Sequence, residues 1–127
     1  MSAISNGVDL VEIERFQNLN PRIRERFLKR VFTPSELEEA AASNERLAGK
    51  FAAKEAASKA LGCGIGEIRW QDLEILNDPQ GKPELLLHEN AALAAKKACW
   101  TSWSISISHT RLYAVAVVCA LTGEPDV

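Results

Sequence analysis

An alanine-rich segment near the middle of the chain restricts the folds that this sequence can adopt. The stretch FAAKEAASKALG, residues 51–62, is dominated by strong helix formers. We predict a helix from Glu45 to Leu61, with Asn44 as its N-cap and Gly62 just past its end. Because small side chains let a neighbour approach a helix backbone closely, this helix should pack against a sheet, a second subunit or a ligand.

Two charged residues of this helix, Glu55 and Lys59, lie one turn apart on the same face, about 6 Å from each other along the axis. One interpretation is an exposed ion pair worth about 0.3 kcal/mol. The other is chemical, because a carboxylate can hold Mg²⁺ or accept a proton while an ammonium neutralises phosphate oxygens. Asp9, at the edge of the first predicted strand, is either a second carboxylate of such a site or a helix cap. The spacing alone leaves these interpretations open.

The second half of the chain contains the patterns of two β-hairpins. Serine and isoleucine alternate in SWSISISHT, and the β-branched segment LYAVAVVCAL follows after a short link. The segments LEILND and PELLLH flank the turn sequence DPQGKP in the same way. A further short strand near Val8 opens the chain. We therefore predict one domain over residues 1–127, of the α+β class, with a mostly antiparallel sheet and the long central helix packed on it.

Three more helices are predicted from local signals. PRIRERFLKRVF is a basic amphipathic helix, and residues 89–99 form an alanine-rich one. In TPSELEEAA, Thr33 is a suitable N-cap and Glu36 completes a capping box.

The charge distribution indicates an anionic partner. The net charge is −2, but residues 15–30 contain six basic residues and one acid, so this segment carries +5 and the rest of the chain −7. A basic patch on an acidic body favours association with an acidic molecule through charge steering. A non-catalytic module that binds an acidic protein is one reading. Nucleic acid fits less well, because the body is acidic and few aromatic residues are available for stacking on bases.

Composition limits the other classes of protein. Apolar residues make up 46% and charged residues 25%, the balance of a soluble globular domain. The longest mostly apolar run, residues 112–121, is too short to cross a membrane. The first residues do not have the pattern of a secretory signal. The three cysteines lack metal-ligand spacing, which predicts reduced thiols in a cytoplasmic protein.

Three segments together resemble one family. NGVDLVEIERF (residues 6–16), FAAKEAASKALG (51–62) and SISISHT (104–110) occur in the order and approximate spacing of the holo-acyl-carrier-protein synthases, which are small bacterial phosphopantetheinyl transferases. FTPSEL and NDPQGKP are similar to a helix start and a hairpin turn of that family. The resemblance extends over residues 6–120.

The resemblance implies an activity and a metal site. The activity is transfer of 4′-phosphopantetheine from coenzyme A to a serine of apo acyl carrier protein, which leaves adenosine 3′,5′-bisphosphate. By this resemblance Asp9 and Glu55 would bind Mg²⁺, and Lys59 would contact the phosphates. Either Glu55 or a metal-bound water would be the base.

The resemblance also implies residues for the nucleotide. Gly81, Lys82 and Pro83 match a turn that contacts the adenine end, and His109 would contact a phosphate. On position alone, a histidine at the end of a strand can equally be structural. Lys50 stands where the family often has arginine, so it keeps the charge of a phosphate ligand but lacks the two-pronged guanidinium.

Two partner predictions follow from the same resemblance. The carrier protein would dock on the basic helix, which makes Arg15, Arg22, Arg26 and Arg30 docking candidates, although each could be part of a solvated basic face. The chain would form a homotrimer with active sites at the subunit interfaces. No nucleic acid and no membrane are expected as partners.

Overall fold

The computed structural model describes residues 2–123, in which one strand is followed by four helices and then by two β-hairpins separated by a fifth helix. The strands are β1 (Ala3–Glu12), β2 (Leu73–Asn77), β3 (Pro83–Leu87), β4 (Trp100–His109) and β5 (Tyr113–Thr122). The helices are α1 (Glu14–Gln17), α2 (Pro21–Val31), α3 (Pro34–Ala40), α4 (Asn44–Leu61) and α5 (Glu89–Lys97), with a 3₁₀ turn at Trp70–Asp72.

The strands form two antiparallel sheets. One has the order β1-β5-β4, and the other is the β2-β3 hairpin. In the larger sheet Val8 pairs with Val117, and Ser106 pairs with Val117 from the other side. Both predicted hairpins are therefore present, and the predicted α+β class with an antiparallel sheet is confirmed.

Helix α4 lies across the inner face of the larger sheet and is buried on most of its circumference. Its alanines, including Ala52 and Ala56, are fully buried against a sheet face that is also lined by small residues of β5, such as Ala114 and Ala116. Because neither surface carries long side chains here, the backbones can approach closely. The prediction that the alanine-rich helix packs tightly on a sheet is confirmed.

Helix boundaries show where local signals succeed. The Thr33–Glu36 capping box is present, with each side chain bonded to the backbone N–H of the other residue. Asn44 is not the N-cap of α4, however. Ser43 has the extended backbone of a cap and accepts the N–H of Arg46, while Asn44 is the first helical residue.

The last helix ends earlier than predicted. Helix α5 stops at Lys97, and Cys99 adopts a left-handed backbone conformation (φ 61°) that turns the chain into β4. Cys63, Cys99 and Cys119 are free thiols. Within residues 2–123, no helix has the length and hydropathy needed to cross a membrane.

Candidate active site

Gly7 brings strand β1 directly onto helix α4. A Cβ atom at this position would lie 2.0 Å from the carbonyl oxygen of Ala56, so no larger residue fits without moving the strand. Two residues before Gly7, the Ser5 hydroxyl donates to the carbonyl oxygen of Ala60 at 2.6 Å. This close contact places Asp9, two residues after Gly7 on the same face, against the charged side chains of α4.

Asp9, Glu55 and Lys59 form one cluster at this contact. The Lys59 ammonium donates to Asp9 Oδ1 at 3.0 Å and to the Val8 carbonyl oxygen at 3.1 Å. Within the described chain, no ion pair joins Glu55 to Lys59. The lysine therefore pairs across to the strand, and the simple exposed pair within the helix is not what the structure contains.

The two carboxylates of the cluster lie side by side. Burial raises the pKa of Glu55 above its ordinary value, and Asp9 raises it further through its negative charge and a hydrogen bond. Lys59 and Arg15 offset part of this rise in the pKa of Glu55. Because Lys59 and Arg15 neutralise only part of the negative charge of the two carboxylates, the pair is suited to hold a cation or a proton between them.

An open cleft of about 400 Å³ lies beside the first half of α4. It is lined on one side by Gly49 and Lys50, and on the other by Gly81, Pro83 and His109. Gly49 allows strand β4 to pass close to the helix, since a Cβ there would lie 2.9 Å from Ile107 Cγ2. Four of the residues predicted for the nucleotide (Lys50, Gly81, Pro83 and His109) thus surround one cleft.

Lys82 and Lys50 differ from the other predicted nucleotide residues. Lys82 lines a neighbouring groove together with Asp78 and Trp103 rather than the cleft itself. The ammonium of Lys50 is buried and donates to Glu39 Oε1 at 2.5 Å and to the Ile75 carbonyl oxygen at 2.7 Å. His109, by contrast, is exposed at the end of β4.

The predicted docking residues lie on the basic side of the molecule. Arg22, Arg26 and Arg30 are exposed on α2, and Arg15 is exposed on α1. Between the two helices is a small apolar pocket of about 120 Å³, which Arg15, Ile23 and Phe27 help to line.

Comparison with known proteins identifies the family of the chain. The family model of the 4′-phosphopantetheinyl transferase superfamily matches residues 5–118. The chain belongs to this superfamily.

Among relatives of the transferase superfamily, the holo-[acyl-carrier-protein] synthase of Carboxydothermus hydrogenoformans is 44% identical over 116 residues, which cover 89% of this chain and 94% of that protein. The corresponding protein of Solibacter usitatus is 44% identical over 119 residues, with 91% and 95% covered.

Solved structures of the superfamily share the fold. The holo-[acyl-carrier-protein] synthase of Helicobacter pylori, in complex with coenzyme A, superposes with a TM-score of 0.81 at 35% identity, covering 91% of this chain and 98% of that one. An ACPS–coenzyme A complex from Chronobacterium ammoniagenes has a TM-score of 0.84 at 30% identity, covering 96% and 99%.

Sequence reasoning missed a fully buried ion pair between α4 and α3. Lys54 and Glu36 are both fully buried, and the ammonium of Lys54 lies 2.7 Å from Glu36 Oε1. Burial lowers the pKa of Lys54, and Glu36 opposes that shift. A lysine between alanines resembles a solvent-exposed helical residue in the sequence. The useful signal would have been the capping-box position of Glu36, which points its carboxylate inward.

Proposed function

We propose that this chain transfers 4′-phosphopantetheine from coenzyme A to a serine hydroxyl of apo acyl carrier protein, releasing adenosine 3′,5′-bisphosphate. The observation that carries the proposal is the cluster in which Asp9 and Glu55 lie together beside Lys59 at the contact of β1 with α4. The same activity is named in the relatives that the chain matches over most of its length.

The carboxylate pair suits Mg²⁺. This cation takes oxygen ligands and often uses only one or two protein carboxylates, with substrate phosphates and water completing its shell. Asp9 and Glu55 supply that number, and their mutual repulsion gives a reason for a cation between them. When bound, Mg²⁺ would polarise the pyrophosphate and offset its charge.

The protein residues then have distinct tasks in the transfer. Glu55 takes the proton of the carrier serine as its oxygen attacks the β-phosphorus of coenzyme A. One phosphorus–oxygen bond forms to the serine, and the bond to the departing adenosine bisphosphate breaks. Positioned proton removal of this kind contributes about 10²–10⁴-fold in rate.

Lys59 is suited to the leaving group. Its side chain is 57% exposed, so its ammonium can turn from Asp9 to an entering phosphate without disturbing the core. A cation at this position neutralises charge that accumulates on the departing bisphosphate. Glu55 therefore acts on the attacking serine oxygen, and Lys59 acts on the departing bisphosphate.

The cleft beside Gly49 is our proposal for the nucleotide. Its wall at Gly81 and Pro83 is mostly backbone, which suits the edge of a base, and exposed His109 is available to a phosphate. Lys82 would reach the nucleotide only from the neighbouring groove.

The basic helix α2, with Arg15 of α1, is our proposal for the docking surface of the carrier protein. An acidic partner matches the exposed arginines, and the apolar pocket beside Ile23 can accept one apolar side chain of that partner. Charge would steer the encounter and the pocket would fix its register.

The outer face of the larger sheet is our proposal for a homotrimer interface. Val8 and Val117 pair across this face and are 54% and 38% exposed, and Leu10 and Leu121 are more than half exposed beside them. Helix α4 covers only the opposite face. An exposed apolar surface such as the one that β1 and β5 form here usually marks contact with another protein. The three-fold stoichiometry and the sharing of active sites between subunits, like the cytoplasmic location, come from the resemblance to the family and from the composition.

The activity is tested by following adenosine 3′,5′-bisphosphate by chromatography. We expect its release only when the enzyme, coenzyme A, Mg²⁺ and an apo carrier protein are all present, and not with a carrier whose acceptor serine is replaced by alanine. Release without the acceptor serine would indicate simple hydrolysis of coenzyme A and would contradict the transfer.

A further inference from the structure

Strand β2 has one edge that no other strand covers. In the described chain it pairs with β3 alone, which leaves the backbone groups of alternate residues facing away from the hairpin. Such groups need partners, because an unpaired N–H or C=O in a protein interior is costly.

Four side chains supply those partners. The carbonyl oxygen of Leu73 accepts from Lys54 at 2.5 Å, and the N–H of Ile75 donates to Glu36 Oε2 at 2.9 Å. One step further, the carbonyl oxygen of Ile75 accepts from Lys50 at 2.7 Å, and the N–H of Asn77 donates to the Glu39 carboxylate at 3.0 and 3.1 Å. We call this set the edge ladder; its members are Glu36, Glu39, Lys50 and Lys54.

The edge ladder consists of two ion-paired rungs. Lys54 with Glu36 forms the inner rung, and Lys50 with Glu39 forms the outer rung. Lys50 and Lys54 are one turn apart on α4, while Glu36 and Glu39 are one turn apart on α3, so both helices present a charge to β2 at each step. The ladder therefore fastens the hairpin to α3 and α4 with the same donor and acceptor alternation that a third strand would provide.

The outer rung is also a wall of the nucleotide cleft. The cleft is lined on this side by Glu39, Lys50, Ile75 and Asn77, opposite His109. The hairpin turn that carries Gly81 follows directly after β2 and leads to Pro83, the first residue of β3. The position of that turn relative to α4 thus depends on Asn77, the last residue of β2 that is hydrogen-bonded to the edge ladder.

We propose that Lys50 and Glu39 are positioning residues, which set the width of the nucleotide cleft by fastening β2 to α4, and that Lys50 is not itself a phosphate ligand. This inference rests on the proposed function for the identity of the ligand, coenzyme A. The Lys50 side chain is 6% exposed, and two of its three ammonium hydrogens are used by Glu39 and the Ile75 carbonyl. A phosphate ligand in that position would have to give up partners that the hairpin needs.

The substitution Glu39→Gln distinguishes a Lys50 that binds phosphate from a Lys50 that positions the hairpin. If Lys50 bound phosphate directly, Glu39→Gln would remove a nearby negative charge and free the lysine, so coenzyme A would bind as tightly as before or more tightly. If the outer rung positions the hairpin, the same substitution loosens the cleft and weakens binding. The two accounts predict effects of opposite sign.

The experiment measures the Kd of coenzyme A by calorimetry for the wild type, Glu39→Gln, Lys50→Met and the double variant. We expect each single variant to bind about 10- to 100-fold more weakly, since small misplacements of a site have effects of this size. The double variant should be no worse than the weaker single variant, because both remove the same rung. Lys50→Arg, which keeps the charge and can reach both acceptors, should restore binding to within a few-fold. Lys96→Met, an exposed lysine of α5, is the matched control and should leave the Kd unchanged.

A second measurement reports the hairpin directly. Hydrogen exchange of peptides covering residues 73–87 should be faster in Glu39→Gln and Lys50→Met than in the wild type, and unchanged in Lys96→Met. Saturating coenzyme A should recover most of the kcat of transfer, so that the defect appears in KM. If Lys50→Met does not fold, Glu39→Gln still decides the question, because the two accounts predict opposite changes in its Kd.

Three results would overturn the inference. Unchanged or tighter binding by Glu39→Gln, with weaker binding by Lys50→Met, would make Lys50 a direct phosphate ligand. Wild-type affinity in both variants would reduce the outer rung to a stabilising contact. Unchanged hydrogen exchange in both variants would show that the rung does not hold the hairpin. Failure of the wild type to bind coenzyme A would instead contradict the proposed function, and hydrogen exchange would still test the ladder.

Discussion

Glu55 is the residue on which the chemistry depends most. Nothing in the sequence around Glu55 on α4 marks it as catalytic, and an exposed pair with Lys59 was the simpler interpretation of the spacing. The structure instead pairs Lys59 with Asp9 and leaves Glu55 half-buried beside that aspartate. The contact between residues 9 and 55 depends on the tertiary fold, so only the resemblance to the family could predict it.

The pH dependence of stability provides a test at this residue. In the metal-free protein the pKa of Glu55 is raised, so the folded state holds this proton more tightly than the unfolded state. Stability should therefore fall as pH rises from the ordinary glutamate value of 4.5 through the raised pKa of Glu55. Glu55→Gln removes this loss, so the variant should gain up to about 1 kcal/mol over the wild type in that window, a small figure because solvent screens the site. Urea unfolding with a chelator at several pH values measures this gap; a gap that shrinks with rising pH would contradict the assignment.

Local signals predicted some residues well and others poorly. The capping box at Thr33 and Glu36 depends only on neighbours in the chain, and it is present. Lys50 and Lys54 have partners on α3 and β2 that are 11 to 25 positions away, so nothing in their immediate sequence shows that they are buried. Charged residues are seldom fully buried unless paired, and the pairing is a property of the fold.

At the scale of elements, the contact between β1 and α4 assembles the active site. Substitution of Gly7 by alanine should push the strand off the helix, because the new Cβ would overlap the backbone of Ala56. We expect a loss of about 1–3 kcal/mol in the free energy of unfolding and a much larger loss of transfer, since Asp9 moves with the strand. Thermal unfolding and the transfer assay measure the two effects.

Gly64 provides the control for this substitution. It lies in the turn after α4 and has open space around the position of a Cβ. Gly64→Ala should retain both stability and transfer. Near-normal activity of Gly7→Ala would mean that the close approach of β1 to α4 is not needed for the site.

Helix α2 carries the prediction for carrier recognition. Arg26→Glu reverses one exposed charge on the proposed docking surface, so the KM for carrier protein should rise at least about tenfold while the KM for coenzyme A stays the same. The wild-type KM for carrier should also rise with salt. Lys96→Glu makes the same change of charge on α5 and should leave both constants unaltered. An equal rise in the two KM values for Arg26→Glu would place the arginine elsewhere in the mechanism.

The strands and helices themselves were largely predictable. Alternating serine and isoleucine in β4 reports a sheet with one polar and one buried face, and short turn sequences define both hairpins. The pattern could not predict that the β2-β3 hairpin is separate from the larger sheet. The backbone groups at the outer edge of β2 bond to side chains rather than to another strand.

At the scale of the whole molecule, assembly should depend on the uncovered sheet face. Val117→Asp places a charge in the middle of this apolar surface, opposite Val8. We expect the wild type to have the light-scattering mass of three chains at micromolar concentration, and Val117→Asp to have the mass of one chain with little transfer activity. Leu93→Asp introduces the same charge at an exposed leucine of α5 and should keep the mass of three chains. A wild type with the mass of one chain would contradict the trimer and the shared sites.

The most direct test of the activity is the intact mass of the carrier protein. After incubation with the wild-type chain, coenzyme A and Mg²⁺, we predict that apo acyl carrier protein gains the mass of one phosphopantetheine arm. With Glu55→Gln the gain should be about 10²–10⁴-fold slower, whereas Glu38→Gln, an exposed carboxylate of α3, should be as fast as the wild type. A carrier that keeps its apo mass with the wild-type chain would contradict the transfer, and near-normal turnover by Glu55→Gln would contradict the role of this carboxylate.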